Sequence, residues 1–527
     1  MPHKTNHTLL TLLALLTAGS SALNVSAAGG ALPKVVVNII VDQLRSDYLE
    51  AFMPLYGEEG LKRLLTEGRI YAGAEYPMAR IDRASATATL STGTTPSRHG
   101  IVGAQWVERE GLRPVFCVED HSIQGIGTKD RYSALPLNTS TVTDELKVAS
   151  EGKAIVVSLA PNAESAILQG GHAADYACWI DDYSGQWVTS SYYTTALPQW
   201  LKARNTQLSA TGNQIVWEPA NALVGNFSYF LSGGMKEPFR HVMKTAERFR
   251  QWKTSGLVNS EIASATETLL QVGRLGMDDI TDYLALTLYA GGYEGRTAAE
   301  APMEVQDNYV RLDMALARIL TALDEKVGRD NLLLCLTSTG YTEESDADLS
   351  RYRISTGTFD VQRATGLLAM YLRAVYGVGN LIATTHGTEI YLNHQVIEDH
   401  QINYSELLTR CQDFLQQLAG VQDVYGSVRM LQGGWTAGLS EISNGYHVQR
   451  SGDLLVAVMP GWHAVNTATG YDRLSRASYV PFPIVFYGAG IKPQRITEST
   501  TVDYIAPTLS SAMRIRAPNA CSTSPLF

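Results

Sequence analysis

The chain has little cysteine, no excess of positive charge and, beyond its first residues, no long apolar run. Its five cysteines, Cys117, Cys178, Cys335, Cys411 and Cys521, lack the spacing of a metal site, and their odd number leaves at least one unpaired within the chain. Cys335 stands in an apolar run and is expected to be buried and inert, whereas Cys521, close to the end, is the best candidate for an exposed thiol. With 42 Lys and Arg against 52 Asp and Glu, the formal charge is −10. Nucleic acid is thereby an improbable partner, because phosphate backbones are bound by clustered cations and none cluster here. No segment after the leader is apolar for the roughly 20 residues that cross a bilayer, so no transmembrane anchor is expected in the mature chain. Histidine is missing from long stretches: none lies between His241 and His386, and none follows His463.

What is there begins with an export signal. Lys4 supplies a positive head, Leu9 to Ala18 an apolar run and Val25-Ser26-Ala27 a small-residue cleavage site. Residues 1–27 are read as a cleavable signal peptide and 28–527 as the mature, periplasmic domain.

Short apolar runs then alternate with helical stretches: "VVVNIIVD" from Val35, "AIVVSL" from Ala154, "YLALTLY" from Tyr283, "NLLLCLT" from Asn331 and "PIVFYG" from Pro483. Runs apolar on both faces predict a largely parallel sheet with helices on both sides, an α/β fold. Val305, Tyr309, Leu312, Leu316, Ile319 and Leu323 recur at spacings of three and four, which puts one apolar stripe on a long helix leading into the strand at Asn331. Two stretches break the rhythm, 187–274 and 371–434, and are read as cap insertions over the carboxyl ends of the strands, where such sheets bind ligands.

The order of motifs resembles the alkaline phosphatase superfamily, in particular its monoesterase and nucleotide pyrophosphatase/phosphodiesterase branch. "VVVNIIVDQLRSDYL" is similar to its first strand and metal loop, and "LSTGTTPSRHGIVG" to the turn after its nucleophile helix. "MEVQDNYVRLDMALARILTALDEKVG" is similar to the helix before its second metal loop, and "TVDYIAPTL" to its closing helix. The resemblance implies two zinc ions held by Asp and His side chains, with a Thr or Ser between them that attacks phosphorus.

Carried over position by position, that set is nearly gone. Asp42 is retained. The nucleophile falls on Arg83, whose guanidinium stays protonated and cannot attack. Ser85 and Thr87 are close, but a helix turns about 100° per residue, so neither points where residue 83 points. The Asn that helps hold the phosphoryl group falls on Ala104. The Asp-x-x-x-His pair falls on Gly292 and Arg296, the following Asp-His pair on Thr339 and Gly340, and the last His near Pro481. Where a Lys and Arg clamp is implied after "VVSL", the chain reads "APNAES".

The expectation from the sequence is therefore a catalytically inactive member of the superfamily, not an enzyme, needing no cofactor and serving as a periplasmic scaffold with a protein partner in an envelope assembly. Two alternatives stand beside it. One is a non-hydrolytic binder of a phosphorylated, anionic ligand through Arg83 and Arg296. The other is a metal-dependent phosphatase or phosphodiesterase with a rearranged site. Asp42, stripped of cations, is expected to pair with Arg83 through two parallel hydrogen bonds. His172, His386, His447 and His463 are scattered and read as structural or surface residues, not as ligands.

Overall fold

The computed structural model describes residues 32–209, 214–224, 238–298, 300–342, 355–433, 438–476 and 480–527, so the leader lies outside the described residues. Ten strands form the central sheet: β1 (Val35–Asp42), β2 (Arg69–Glu75), β3 (Gly125–Ile126), β4 (Val156–Ala160), β5 (Tyr176–Ile180), β6 (Trp187–Ser190), β7 (Asp282–Tyr289), β8 (Leu332–Ser338), β9 (Phe482–Gly488) and β10 (Gln494–Thr501). Across the sheet they run β10-β2-β9-β8-β1-β7-β4-β5-β6-β3. The middle five, β8, β1, β7, β4 and β5, are mutually parallel. Every residue of β1, β7 and β8 is buried, as runs of Val, Ile and Leu without alternation require when helices cover both faces. The run at Pro483 is a strand, but β9 lies antiparallel to both β8 and β2. An apolar run carries no mark of its direction.

The long helix spans Pro302–Lys326, its proline in the first turn, where a missing N–H costs nothing. The expected stripe from Val305 to Leu323 is buried, and the helix packs beside the helix Leu257–Val272 on one face of the sheet. On the other face the helix Arg83–Thr92 packs against the helices Ala163–Gly170 and Ile505–Ala512. Residues 84–92 are all buried, a demanding location for Ser and Thr. The hydroxyls meet the demand by donating to carbonyls one turn back: Thr87 to Arg83, Thr89 to Ser85, Ser91 to Thr87 and Thr92 to Ala88, all at 2.7 or 2.8 Å. Gly93 closes this helix in the left-handed region, φ +63°, and a Cβ there would come within 2.9 Å of the Cys521 sulfur.

The described residues of the stretch 187–274 contribute to the main core. Trp187 lies in β6, and Trp187, Trp217 and Trp252 are buried in the main core with much of the helix Leu257–Val272. The other insertion is larger than 371–434. Strands Ile382–His386, Glu389–Leu392, Leu454–Val458 and Val421–Gly426 form a second sheet. With the helices Val361–Tyr376 and Tyr404–Gln416 it surrounds a separate core that includes Leu368, Leu372, Leu407 and Leu415. All five cysteines are free thiols, four buried and Cys521 half-buried; burial pushes the Cys178 thiol up to about 12.

His99, fully buried in the turn after Gly93, fixes that turn: its Nδ1 accepts from the Ile101 N–H at 3.1 Å, which leaves Nε2 to donate to the Thr89 hydroxyl at 3.1 Å. Burial, with the Arg450 guanidinium nearby, pushes its pKa down to about 3. Because the folded value lies below the unfolded one, stability is present at neutral pH and lost as pH falls from about 6.5 toward 3. At pH 5 the loss is about 2 kcal/mol. Chemical denaturation at pH 7 and pH 5 is expected to show this decline, and His99→Gln to flatten it.

Candidate functional site

The parallel direction of β1, β7 and β8 brings their carboxyl ends to one edge of the sheet, and Asp42, the last residue of β1, is 1% exposed there. Arg83 reaches it from the start of its helix. The helix begins with a capping box: the Asp82 carboxylate accepts from the Ser85 N–H at 2.9 Å, and the Ser85 hydroxyl faces back to the Asp82 N–H at 3.0 Å. The second Asp82 oxygen accepts from the Ala104 N–H at 2.6 Å, tying the following loop to the same point.

Arg83 pairs with Asp42 as expected, but not in parallel. Its Nε donates to Asp42 Oδ2 at 2.7 Å, while Nη1 donates to Glu164 Oε1 at 2.9 Å. Glu164 comes from "APNAES", the segment where a cationic clamp was implied. The sign of charge is thus exchanged at two facing positions, Arg for the hydroxyl and Glu for the clamp. Burial disfavours the Arg83 charge, yet Asp42 and Glu164 outweigh it and hold its pKa well above the ordinary arginine value. Thr339 completes the cluster: its hydroxyl donates to Asp42 Oδ1 at 2.9 Å and accepts from the Gln43 N–H at 2.9 Å. Both Asp42 oxygens are therefore engaged.

The remaining positions are closed by backbone or packing. A Cβ on Gly292 would lie 1.7 Å from the Arg296 carbonyl oxygen, so this loop conformation admits no side chain there. Gly340 has φ +71°, and a Cβ would sit 2.6 Å from the Tyr76 ring. Pro481 is exposed and its carbonyl accepts from the Ser46 N–H at 2.8 Å. Ser85 and Thr87 spend their hydroxyls within the helix. Of the two arginines expected to meet an anion, Arg83 is one cation between two carboxylates and is not free to do so. Arg296 is exposed, makes no ion pair among the described residues, and lies at the rim of a cleft lined by Gln43, Gly291, Gly292 and Thr297. His172 is structural: its ring contacts Asp144 at 2.9 Å and the Leu137 carbonyl at 3.0 Å. Sequence reading missed Glu164 and Gln43. An acid standing where a base was implied, opposite an unexpected Arg, was the available signal for Glu164.

The fold and the location of this cluster define an alkaline phosphatase-like α/β protein. The crystal structure of wild type alkaline phosphatase PafA superposes with a TM-score of 0.83, at 28% identity, over 94% of this chain and 98% of its own. The chain belongs to the type I phosphodiesterase / nucleotide pyrophosphatase family, whose model matches residues 36–477. PafA of Elizabethkingia meningoseptica is 28% identical over 94% of both chains. The alkaline phosphatase PhoV of Synechococcus elongatus is 29% identical over 92% of this chain and 91% of its own. A protein of Myroides odoratus named a calcium-transporting ATPase is 29% identical over 94% of both.

These likenesses overturn the expectation of an inactive scaffold. Chains similar over nine-tenths of their length bear the name alkaline phosphatase, so the non-enzyme reading is withdrawn. The expectation of no cofactor goes with it, since the family resemblance implies zinc. The described residues nevertheless do not fit two zinc ions. Zinc asks for several carboxylate, imidazole or thiolate donors, and no group of three or more His, Cys, Asp or Glu among the described residues is arranged to hold a metal. Gly292, Arg296, Thr339, Gly340 and Pro481 supply none of these donors, and Asp42 is already engaged. Family and donor set disagree, and no chemical step is derived through a metal.

Removing Arg83 takes the ion-pair partner from two buried carboxylates, Asp42 and Glu164. Arg83→Ala is expected to cost about 3 kcal/mol in urea unfolding, and adding Asp42→Asn to recover part of that loss.

Proposed function

We propose that this chain hydrolyses phosphoric esters at the carboxyl ends of β1, β7 and β8, through a rearranged site. The observation that carries the reading is the whole-length likeness to an alkaline phosphatase, at a TM-score of 0.83. Because the hydroxyls of Ser85, Thr87 and Thr339 are engaged and Arg83 cannot attack, water is the group assigned to attack phosphorus; the P–O ester bond breaks as the new P–O bond forms, and the water's proton ends on the departing alcohol oxygen. Arg83 keeps the carboxylates of Asp42 and Glu164 from repelling the ester, and Arg296, on the open side, meets its charge. Hydrolysis of this kind lacks a covalent intermediate and so differs from the path the resemblance implies.

The reading includes export to the periplasm, supported by the charged head, apolar run and small-residue site of the leader. Among the described residues no helix is long and apolar enough to cross a membrane. The body with its own core around Leu368 and Leu407 is assigned the role of a cap that selects the ester; in support, Arg80, three residues before Arg83, pairs with Glu389 of that body at 2.5 Å.

The test is turnover of aryl phosphate monoesters and diesters by the full-length mature protein, as purified, with zinc added and after chelation. Turnover above the rate of an Arg296→Gln variant is expected with at least one ester class. No turnover in any of the three states would overturn the reading.

A further inference from the structure

The outward side of a helix on a globular fold is normally polar, its apolar side being spent on the core. The helix Val361–Tyr376 departs from this. Its inner side is ordinary: Val361, Ala364, Thr365, Leu368 and Leu372 are buried, and the helix packs on the helix Tyr404–Gln416 and on the second sheet. Its outer side centres on Met370, which is 64% exposed. At about 100° per residue, Arg363, Gly366, Leu367, Arg373 and Ala374 all fall within about 60° of Met370 around the axis, and all are exposed. A Cβ built on Gly366 would meet no atom within 4 Å, so the middle of this face is open.

The charge on the face is of one sign. The helix contains no Asp or Glu, and neither Arg363 nor Arg373 makes an ion pair among the described residues. Asp360, which caps the helix, turns a carboxylate oxygen to the Arg363 N–H at 3.1 Å. In a chain of formal charge −10, two unpaired cations around an apolar centre are a local reversal of sign.

Shape and charge together select what covers this face. It is convex, and its two arginines stand about 15 Å apart along the axis, with Leu367 and Met370 between them. Two copies of the chain joined here would bring four arginines together with no acid from either helix. A bilayer with anionic headgroups answers both features: apolar tips enter the acyl boundary, while long arginine side chains bend back to the headgroup phosphates. We propose that the helix Val361–Tyr376 docks the protein on an anionic lipid surface, with Leu367 and Met370 inserted and Arg363 and Arg373 on the headgroups. Such docking is peripheral, and among the described residues no helix is long and apolar enough to cross a membrane. The proposal is independent of the hydrolase reading, since it concerns where the protein sits and not what it cleaves.

Flotation of the mature protein with vesicles of phosphatidylcholine, alone or with about one-third phosphatidylglycerol, tests this at low and at physiological salt. Binding is expected to be at least tenfold tighter on the anionic vesicles and to weaken as salt rises. Arg363→Gln combined with Arg373→Gln is expected to weaken it about tenfold, and Met370→Asp at least as much. Met277→Asp, which alters an equally exposed methionine in a loop outside this helix, is expected to leave it unchanged. Because every altered side chain is exposed, all the variants are expected to unfold at the same denaturant concentration as the parent. Equal binding to both kinds of vesicle, binding to neither, or binding that survives Met370→Asp would overturn the proposal. So would a dimer, seen by sedimentation equilibrium without lipid and lost in Met370→Asp, which would give this face to a second copy.

Discussion

The structure around the carboxyl ends of the central strands depends on one guanidinium held between two carboxylates. Asp42 ends a strand buried on both faces, where an uncompensated charge is costly. Arg83 answers it, and Glu164 answers the remaining half of Arg83. Everything adjacent is arranged to keep these three in place. Thr339 engages the second Asp42 oxygen, and the Asp82 capping box aims the first helical residue at the strand. The buried hydroxyls of the same helix are then left to satisfy themselves by donating backward along it.

This arrangement explains why family membership and donor set point in different directions. The chain keeps the fold over nearly its whole length, yet backbone closes two of the positions where zinc ligands are implied: Gly292 lies against the Arg296 carbonyl, and Gly340 against the Tyr76 ring. Such closures are not undone by a single substitution, because a side chain at either glycine would displace its neighbour. A family activity carried out here must use groups the family does not use.

Much of this was legible from residues alone. Unbroken Val, Ile and Leu runs gave the parallel strands, and spacing gave the long helix and its buried stripe. The pairing of Asp42 with Arg83 followed from charge compensation once both positions were known. Other features were not legible, for physical reasons. The antiparallel direction of β9 leaves no trace in a fully buried run. The burial of Trp187, Trp217 and Trp252 in the main core is not legible because tryptophans suit both surfaces and cores, and only tertiary packing distinguishes them. Glu164 is hidden because its segment stands out by the Lys and Arg it lacks. Gln43 was hidden because an unpaired acceptor exists only once the fold has buried it.

On the proposed function, water and not a protein hydroxyl attacks phosphoric esters at this site. The most direct measurement is the stereochemical course at phosphorus, using a diester made chiral with sulfur and oxygen isotopes and hydrolysed in isotopically labelled water. Direct attack by water predicts inversion of configuration. Retention, which requires two successive displacements through a covalent intermediate, would contradict the account.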